Sequence, residues 1–341
     1  MKKKLVAIVA LVLIVVLTCS LAACNKSDSM FDGNFKKEAT SEEASSTWKT
    51  AQTALGKDSS ELATASDDED SSPVKGWKGM KVSMDARSNS TNVVDGVSYE
   101  NIMIMQAEGA LLFDGSAVAV TSKMGTSNST DDKTESSTVS VGTFVKDKTI
   151  FTNLTLSKKE AEKELQERSL KLKYTTDLDP ISQAIINMLP DYEFSETVID
   201  AIAEVILDMT YDELVSTYDG FKAYVDNSGD YNRVKYVLTA QMVADLNGEG
   251  EEFVKNAVLG ECSIIIVTDK ATGAFQGAKF ETNTTITTNI EGSDVTISAK
   301  ASCSIENCSE ITSYPEDLDS YKDIKNITKD DIANILYPSE N

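Results

Sequence analysis

Histidine is absent from all 341 residues. Without imidazole, Ser-His and Cys-His nucleophile activation and His-ligated zinc are excluded before any motif is sought. Basic residues are scarce too, with 32 Lys+Arg against 55 Asp+Glu and a formal net charge of −23. A surface that acidic repels phosphate backbones and anionic headgroups, so nucleic acid is not an expected partner. No glycine-rich phosphate loop occurs, which argues against nucleotide use. Serine-lysine chemistry needs no histidine, and Ser-x-x-Lys occurs at Ser46/Lys49 and Ser72/Lys75, but no Lys-Thr-Gly or Ser-Asp-Asn partner accompanies it. Asp226-Asn227-Ser228-Gly229-Asp230 begins like a calcium loop, yet Tyr231 and Val237 stand where glycine and glutamate belong, so it reads as a β-turn. No carboxylate pair stands out for glycoside chemistry, whose geometry is tertiary. Composition therefore points to binding, with neither a catalytic residue nor a cofactor or metal expected. The 41% hydrophobic content is enough for a buried core.

Lys2-Lys3-Lys4, an uncharged run from Leu5 to Leu17 and the ending Leu21-Ala22-Ala23-Cys24 stand in the order of a charged region, an apolar region and a cleavage site. The ending resembles the bacterial lipobox. That resemblance implies that residues 1–23 are a lipoprotein signal peptide cleaved after Ala23, that Cys24 carries a diacylglyceryl group, and that a third acyl chain such as palmitate can join by an amide. An uncleaved membrane helix over residues 5–23 is the other reading, at 19 positions close to the ~20 needed to span a bilayer. Either way the lysines stay inside and the remainder is expected on the extracytoplasmic face of the membrane. Two acyl chains anchor firmly where one binds only marginally.

From Asn25 to Lys75, Ser, Thr, Ala, Asp and Glu dominate, including the run Asp67-Asp68-Glu69-Asp70, so residues 24–75 read as the lipidated cysteine and a solvated tether. Ala44, Trp48, Ala51 and Leu55 recur at helical spacing and predict a short helix docked on the body. A coil of this length reaches roughly 40 Å.

Residues 76–341 read as a single α+β domain. Met80, Val82, Met84 and Ala86 alternate with polar residues, Asp95-Gly96 offers a hairpin turn into Ile102-Met103-Ile104-Met105, and strands follow at Ala117–Ser122, Thr138–Lys146 and Thr149–Leu156, giving an antiparallel meander. The polar stretch Gly125–Ser137 reads as a long exposed loop. Helical signals come next. Ser157 with Glu160 forms a capping box ahead of EAEKELQERSLKLK, Asp179-Pro180 opens a second helix, Val198, Ile202, Val205, Ile206 and Met209 stripe a helix from about Ser195, and Thr210 with Glu213 caps a short one. Val234, Tyr236, Leu238, Ala240 and Met242 share a strand face, and a short helix is expected near Glu251–Leu259. The final strands carry Ile264–Val267, then Phe280, Ile286 and Ile290 on one face, then Val295, Ile297, Ala299, Ala301, Cys303 and Ile305. In a meander, Cys262, Cys303 and Cys308 are placed too far apart for a disulfide.

The lipobox, the low-complexity tether, the long amphipathic strands, Asp269-x-x-Thr272-Gly273 and the closing Tyr314-Pro315 together resemble extracytoplasmic lipoproteins with a LolA-like half-barrel, including LolB-like and LppX-type proteins. The resemblance covers about residues 76–326. It implies a curved antiparallel β-sheet, an open half-barrel, with helices packed on the concave side, sheltering an acyl chain or other apolar ligand and having no enzymatic activity. Val198, Ile202, Val205, Ile206, Met209, Phe280, Ile286 and Ile297 are the candidate cavity residues. Two functions stay open: binding of a lipid-like ligand, or a self-filled sheet whose surface binds a protein or cell-wall polymer. The membrane, reached through Cys24, is the one partner the sequence points to; a protein partner is unknown.

Overall fold

Long runs of alternating apolar and polar residues become long paired strands. The structure, a computed structural model, describes residues 30–55, 74, 76–94, 97–113, 116–130, 133–147, 149–160, 165–175, 206, 209–246, 257–290, 293–312, 314–329 and 331. Six consecutive strands form an antiparallel meander: β2 (Gly79–Val94), β3 (Val97–Leu112), β4 (Val118–Thr130), β5 (Lys133–Lys146), β6 (Thr149–Glu160) and β7 (Gln166–Thr175). The later strands β8 (Lys222–Asp226), β9 (Tyr231–Val237), β11 (Ser263–Asp269), β12 (Phe275–Ile290) and β13 (Ser293–Asn307) add in that spatial order, β13 pairing with β2 from Asn307↔Met80 to Val295↔Asn92. β1 (Lys37–Glu38) edges β8, β10 (Ala257–Leu259) pairs with β12, and β14 (Lys322–Asp323) lies parallel to β7. The result is one curved antiparallel sheet that does not close into a barrel.

Among the described residues three α-helices accompany it: α1 (Ser41–Leu55), α2 (Tyr211–Thr217) and α3 (Ala240–Leu246). The Thr210 cap of α2 forms as expected, with both reciprocal bonds to Glu213 present. The docked helix within the tether exists as α1. It is capped in the same manner by Thr40 and Glu43 and buries Ala44, Thr47, Trp48, Ala51 and Leu55. Residues 30–55 thus belong to the packed body. Phe31 also sits over Gly277, where an added Cβ would meet Ile305 O of the paired strand at 2.5 Å and the Phe31 ring at 3.1 Å.

Four local expectations are corrected. The helix headed by Ser157 and Glu160 does not form at either end: β6 runs through Glu160, and Leu170 and Leu172 alternate with Ser169, Lys171 and Lys173 in β7, opposite Leu154 and Thr152. Period two wins because β6 offers a partner edge for that alternation. Gly125–Ser137 is not a loop. β4 and β5 pair through it to Thr130↔Lys133, with hydroxyl contacts Thr126–Ser137 and Ser129–Thr134, each 3.0 Å. Threonine-rich polar sequence makes good strand wherever the register is already set by an apolar stretch nearer the base. β9 ends at Val237, so Ala240 and Met242 lie on α3 and do not continue the Val234–Tyr236 strand face. At Ala257–Leu259 the chain is strand, its hydrogen-bonding groups satisfied by β12. The helices expected at Asp179-Pro180 and from Ser195 fall outside the described residues, except Ile206 and Met209. Among the described residues no disulfide joins Cys262, Cys303 or Cys308; Cys303 lies opposite Phe280, and Cys262 Sγ is 3.2 Å from Thr282 Oγ1.

Candidate functional site

Residues directly paired across neighbouring strands point to the same face, so the registers trace each face of the sheet. One ladder reads Tyr236–Ile264–Phe280–Cys303–Met84–Ala107–Ser122–Val141–Leu154–Leu170, from β9 to β7. The next, two residues further along the strands, reads Thr282–Ala301–Ala86–Met105–Met124–Val139–Leu156–Arg168. Both lie on a single apolar face.

Among the described residues that face is covered at one end only. Over β8–β13 and β2 it packs beneath α1 and α2, in a core that includes Trp48, Leu214, Tyr236, Ile264 and Ile305. Trp48 Nε1 donates to Met209 O at 2.9 Å, its ring meets that of Tyr236 edge-on at 4.8 Å, and the Tyr236 hydroxyl donates to Ala44 O at 2.7 Å. Burial pushes the Tyr236 phenol well above its usual range. Further along, on β4 and β5, Met124, Val139 and Val141 are 52%, 44% and 39% exposed, and Leu154, Leu156, Leu170 and Leu172 are half-buried. Along β5 the usual pattern is inverted, with Val139 and Val141 exposed and Ser136, Thr138 and Ser140 half-buried. Contiguous exposed apolar surface of this kind marks an interaction site more often than chance does.

The opposite face is polar and carries the Lys81–Glu108, Lys171–Asp317 and Lys279–Glu281 ion pairs, while Lys158–Glu160 lies on the apolar-ladder face beyond Leu156. Lys81 and Glu108 pair at 2.8 Å; burial opposes the Lys81 charge, but the Glu108 carboxylate outweighs it and raises the ammonium. Glu306, beside Lys81, is pushed up by burial. The C-terminal segment covers this face near the base: Ile311, Tyr314, Leu318 and Tyr321 pack on Ala119, Phe144 and Phe151, and the Tyr314 hydroxyl donates to Val145 O.

The candidate residues separate accordingly. Ile206 is fully buried and Met209 packs against the same core, so both fill the helical half. Phe280 is half-buried in the first ladder and touches Ala86 and Ala301 of the second. Ile286 and Ile297 pair with each other on the same sheet face, beyond the apolar ladders. Leu21, Ala22, Ala23, Cys24, Val198, Ile202 and Val205 fall outside the described residues. Reading the sequence missed Met105, Met124, Leu154 and Leu156 as site residues. Alternation within Thr138–Lys146 and Thr149–Leu156 was their signal, and the loop reading of Gly125–Ser137 hid how far the β4–β5 pair extends. No group of three or more potential metal ligands and no helix long and apolar enough to cross a membrane occurs among the described residues.

No known family matches the chain, and no curated protein does. Among solved structures, the translocator domain of autotransporter NalP from Neisseria meningitidis aligns over 77% of this chain and 99% of its own, at 7% identity and a TM-score of 0.13, a likeness from which nothing about this chain follows.

Proposed function

We propose that the protein is a membrane-anchored extracytoplasmic lipoprotein, held through Cys24, which binds an apolar or lipid-like ligand on the face of β3–β7 that no described residue covers, and does no catalysis. The observation that carries this reading is the exposed Met124–Val139–Val141 patch flanked by half-buried leucines on β6 and β7. At half exposure each such side chain forgoes roughly 1 kcal/mol of burial, which an acyl chain laid across them restores. Methionines suit a face that accepts ligands of varied shape. The lipobox supports delivery to the membrane's outer side, and the strong acidity keeps the body from lying flat on anionic headgroups.

The self-filled reading is favoured on the helical half, where Trp48, Ile206 and Tyr236 leave side chains packed against one another. The ligand site therefore belongs on β3–β7 and not under α1. Native mass spectrometry of protein lacking the leader, with extraction of bound lipid, tests it. Wild type should carry extractable lipid, and Val139→Asp should lose it while keeping its far-ultraviolet circular dichroism. Absence of lipid from wild type, or equal amounts in both proteins, would favour the interaction-surface alternative.

A further inference from the structure

Beyond the apolar ladders the same face changes character. Past one intervening ladder, Ser88–Met103–Thr126–Ser137, the ladders read Ser90–Asn101–Asn128–Glu135 and Asn92–Tyr99–Thr130–Lys133 across β2–β5. Together they line a groove of about 490 Å³ at the far end of the hairpins. That size falls within the range of small-molecule sites, roughly 300–1,000 Å³. Its chemistry is specific. Asn101 Nδ2 donates to Asn128 Oδ1 at 2.7 Å, which leaves the Asn128 amide hydrogens and a second Asn101 hydrogen facing the groove's contents, beside Asn92 and Thr130. Tyr99 is 42% exposed and offers a ring face with a hydroxyl at its tip. Lys133, Glu135 and Glu100 line it with one positive charge against two negative, so an anion gains nothing from the groove. Glu100, the other acid at the rim, is held by Asn89, donating Nδ2 to its Oε1 at 2.7 Å.

Side-chain amides and hydroxyls beside an exposed aromatic ring are the groups that recognise neutral polyhydroxylated molecules. Amides pair with neighbouring hydroxyls, and the ring accepts the apolar face of a sugar. This groove lies on the same face as the apolar ladders, one ladder beyond them. Tyr99 lies six residues from Met105 along β3, roughly 20 Å, and an extended acyl chain is about 15 Å long.

We infer that this groove takes a neutral polyhydroxylated headgroup, such as a sugar, of an amphiphile whose acyl chain lies on the Met105–Met124–Val139–Leu156 ladder. The inference rests on the proposed apolar site and adds the ligand's polar half. It makes the ligand a neutral glycolipid in class, oriented with its head at the hairpin tips and its tail toward the helical half.

The test measures binding of three soluble probes by calorimetry, below micelle-forming concentrations: dodecyl maltoside, a zwitterionic amphiphile with the same tail, and maltose alone. The maltoside should bind about five-fold more tightly than the zwitterionic probe, the scale of one aromatic contact. In Tyr99→Ala that ratio should fall to near one, and Asn101→Ala should reduce it. Val139→Asp should weaken both amphiphiles. Equal binding of the two amphiphiles by wild type overturns the headgroup inference and leaves the apolar site standing. Maltose binding as tightly as the maltoside overturns the amphiphile and makes the groove a site for a free glycan. Binding of neither amphiphile overturns the apolar site itself.

Discussion

Asp226 holds three parts of the chain at the edge of the sheet. Its Oδ2 accepts from Asn34 N at 3.1 Å and from the Ser228 hydroxyl at 2.9 Å, its Oδ1 accepts from Ser228 N at 3.0 Å, and Arg233 lies 3.7 Å away. Burial alone would raise its pKa, but the Ser228 and Asn34 hydrogen bonds and the Arg233 charge outweigh burial and hold it below the ordinary carboxylate range. This is the residue cluster whose sequence begins like a calcium loop, and the carboxylate is occupied with closing the turn. A depressed folded-state pKa gives stability that is present above the unfolded value, about 3.9, and is lost as pH falls through the folded one. Denaturant midpoints recorded from pH 6 to pH 2 should therefore fall on the acid side. Asp226→Asn should flatten that limb and lower stability at neutral pH, because Arg233 then lies buried opposite a neutral amide. An unchanged acid limb in Asp226→Asn would remove this residue from the account.

Among elements, α1 shows what composition hides. The stretch from Asn25 to Lys75 has a tether's composition, and only the spacing of Ala44, Trp48, Ala51 and Leu55 marks the helix that anchors to the sheet. Trp48→Ala should cost about 3–5 kcal/mol, read as a fall in the urea midpoint. Trp48→Phe should cost clearly less, since Gln52 Nε2 still donates to Met209 O at 3.2 Å. If Trp48→Ala is neutral, α1 is not part of the folded body. If the two substitutions cost the same, the indole N–H bond to Met209 O, and not the ring's packing, carries the loss. The apolar stretches of β2–β6, the turn Asp269–Gly273 and the Thr210 cap were legible, because period two, a turn glycine (φ 72° in the structure) and a capping pair are local signals. What was not legible depends on neighbours. Leu170 and Leu172 fit a helix or a strand until β6 supplies a partner, and the polar halves of β4 and β5 carry no hydrophobic period at all. The far groove was invisible for the same reason, since Tyr99 and Asn128 come together only through the β3–β4 register.

At the scale of the whole molecule, one sheet serves two purposes. On β8–β13 and β2 the apolar face is closed by α1, α2 and their aromatic side chains, and that half holds the largest buried cluster among the described residues. On β3–β7 the same face continues with its ladders unbroken but without cover among the described residues, and its other side is held near the base by the C-terminal segment. The division explains why the candidates Ile206 and Met209 turn out to be core, while Phe280 marks the boundary between filled and open surface. The most direct test is photo-crosslinking with a fatty acid that carries a diazirine on its chain, followed by peptide mapping. Adducts are predicted on Met124, Val139, Val141, Leu154 and Leu156. Adducts confined to Ser140, Thr155 and their neighbours on the polar face, or to the Trp48 core, would contradict the account.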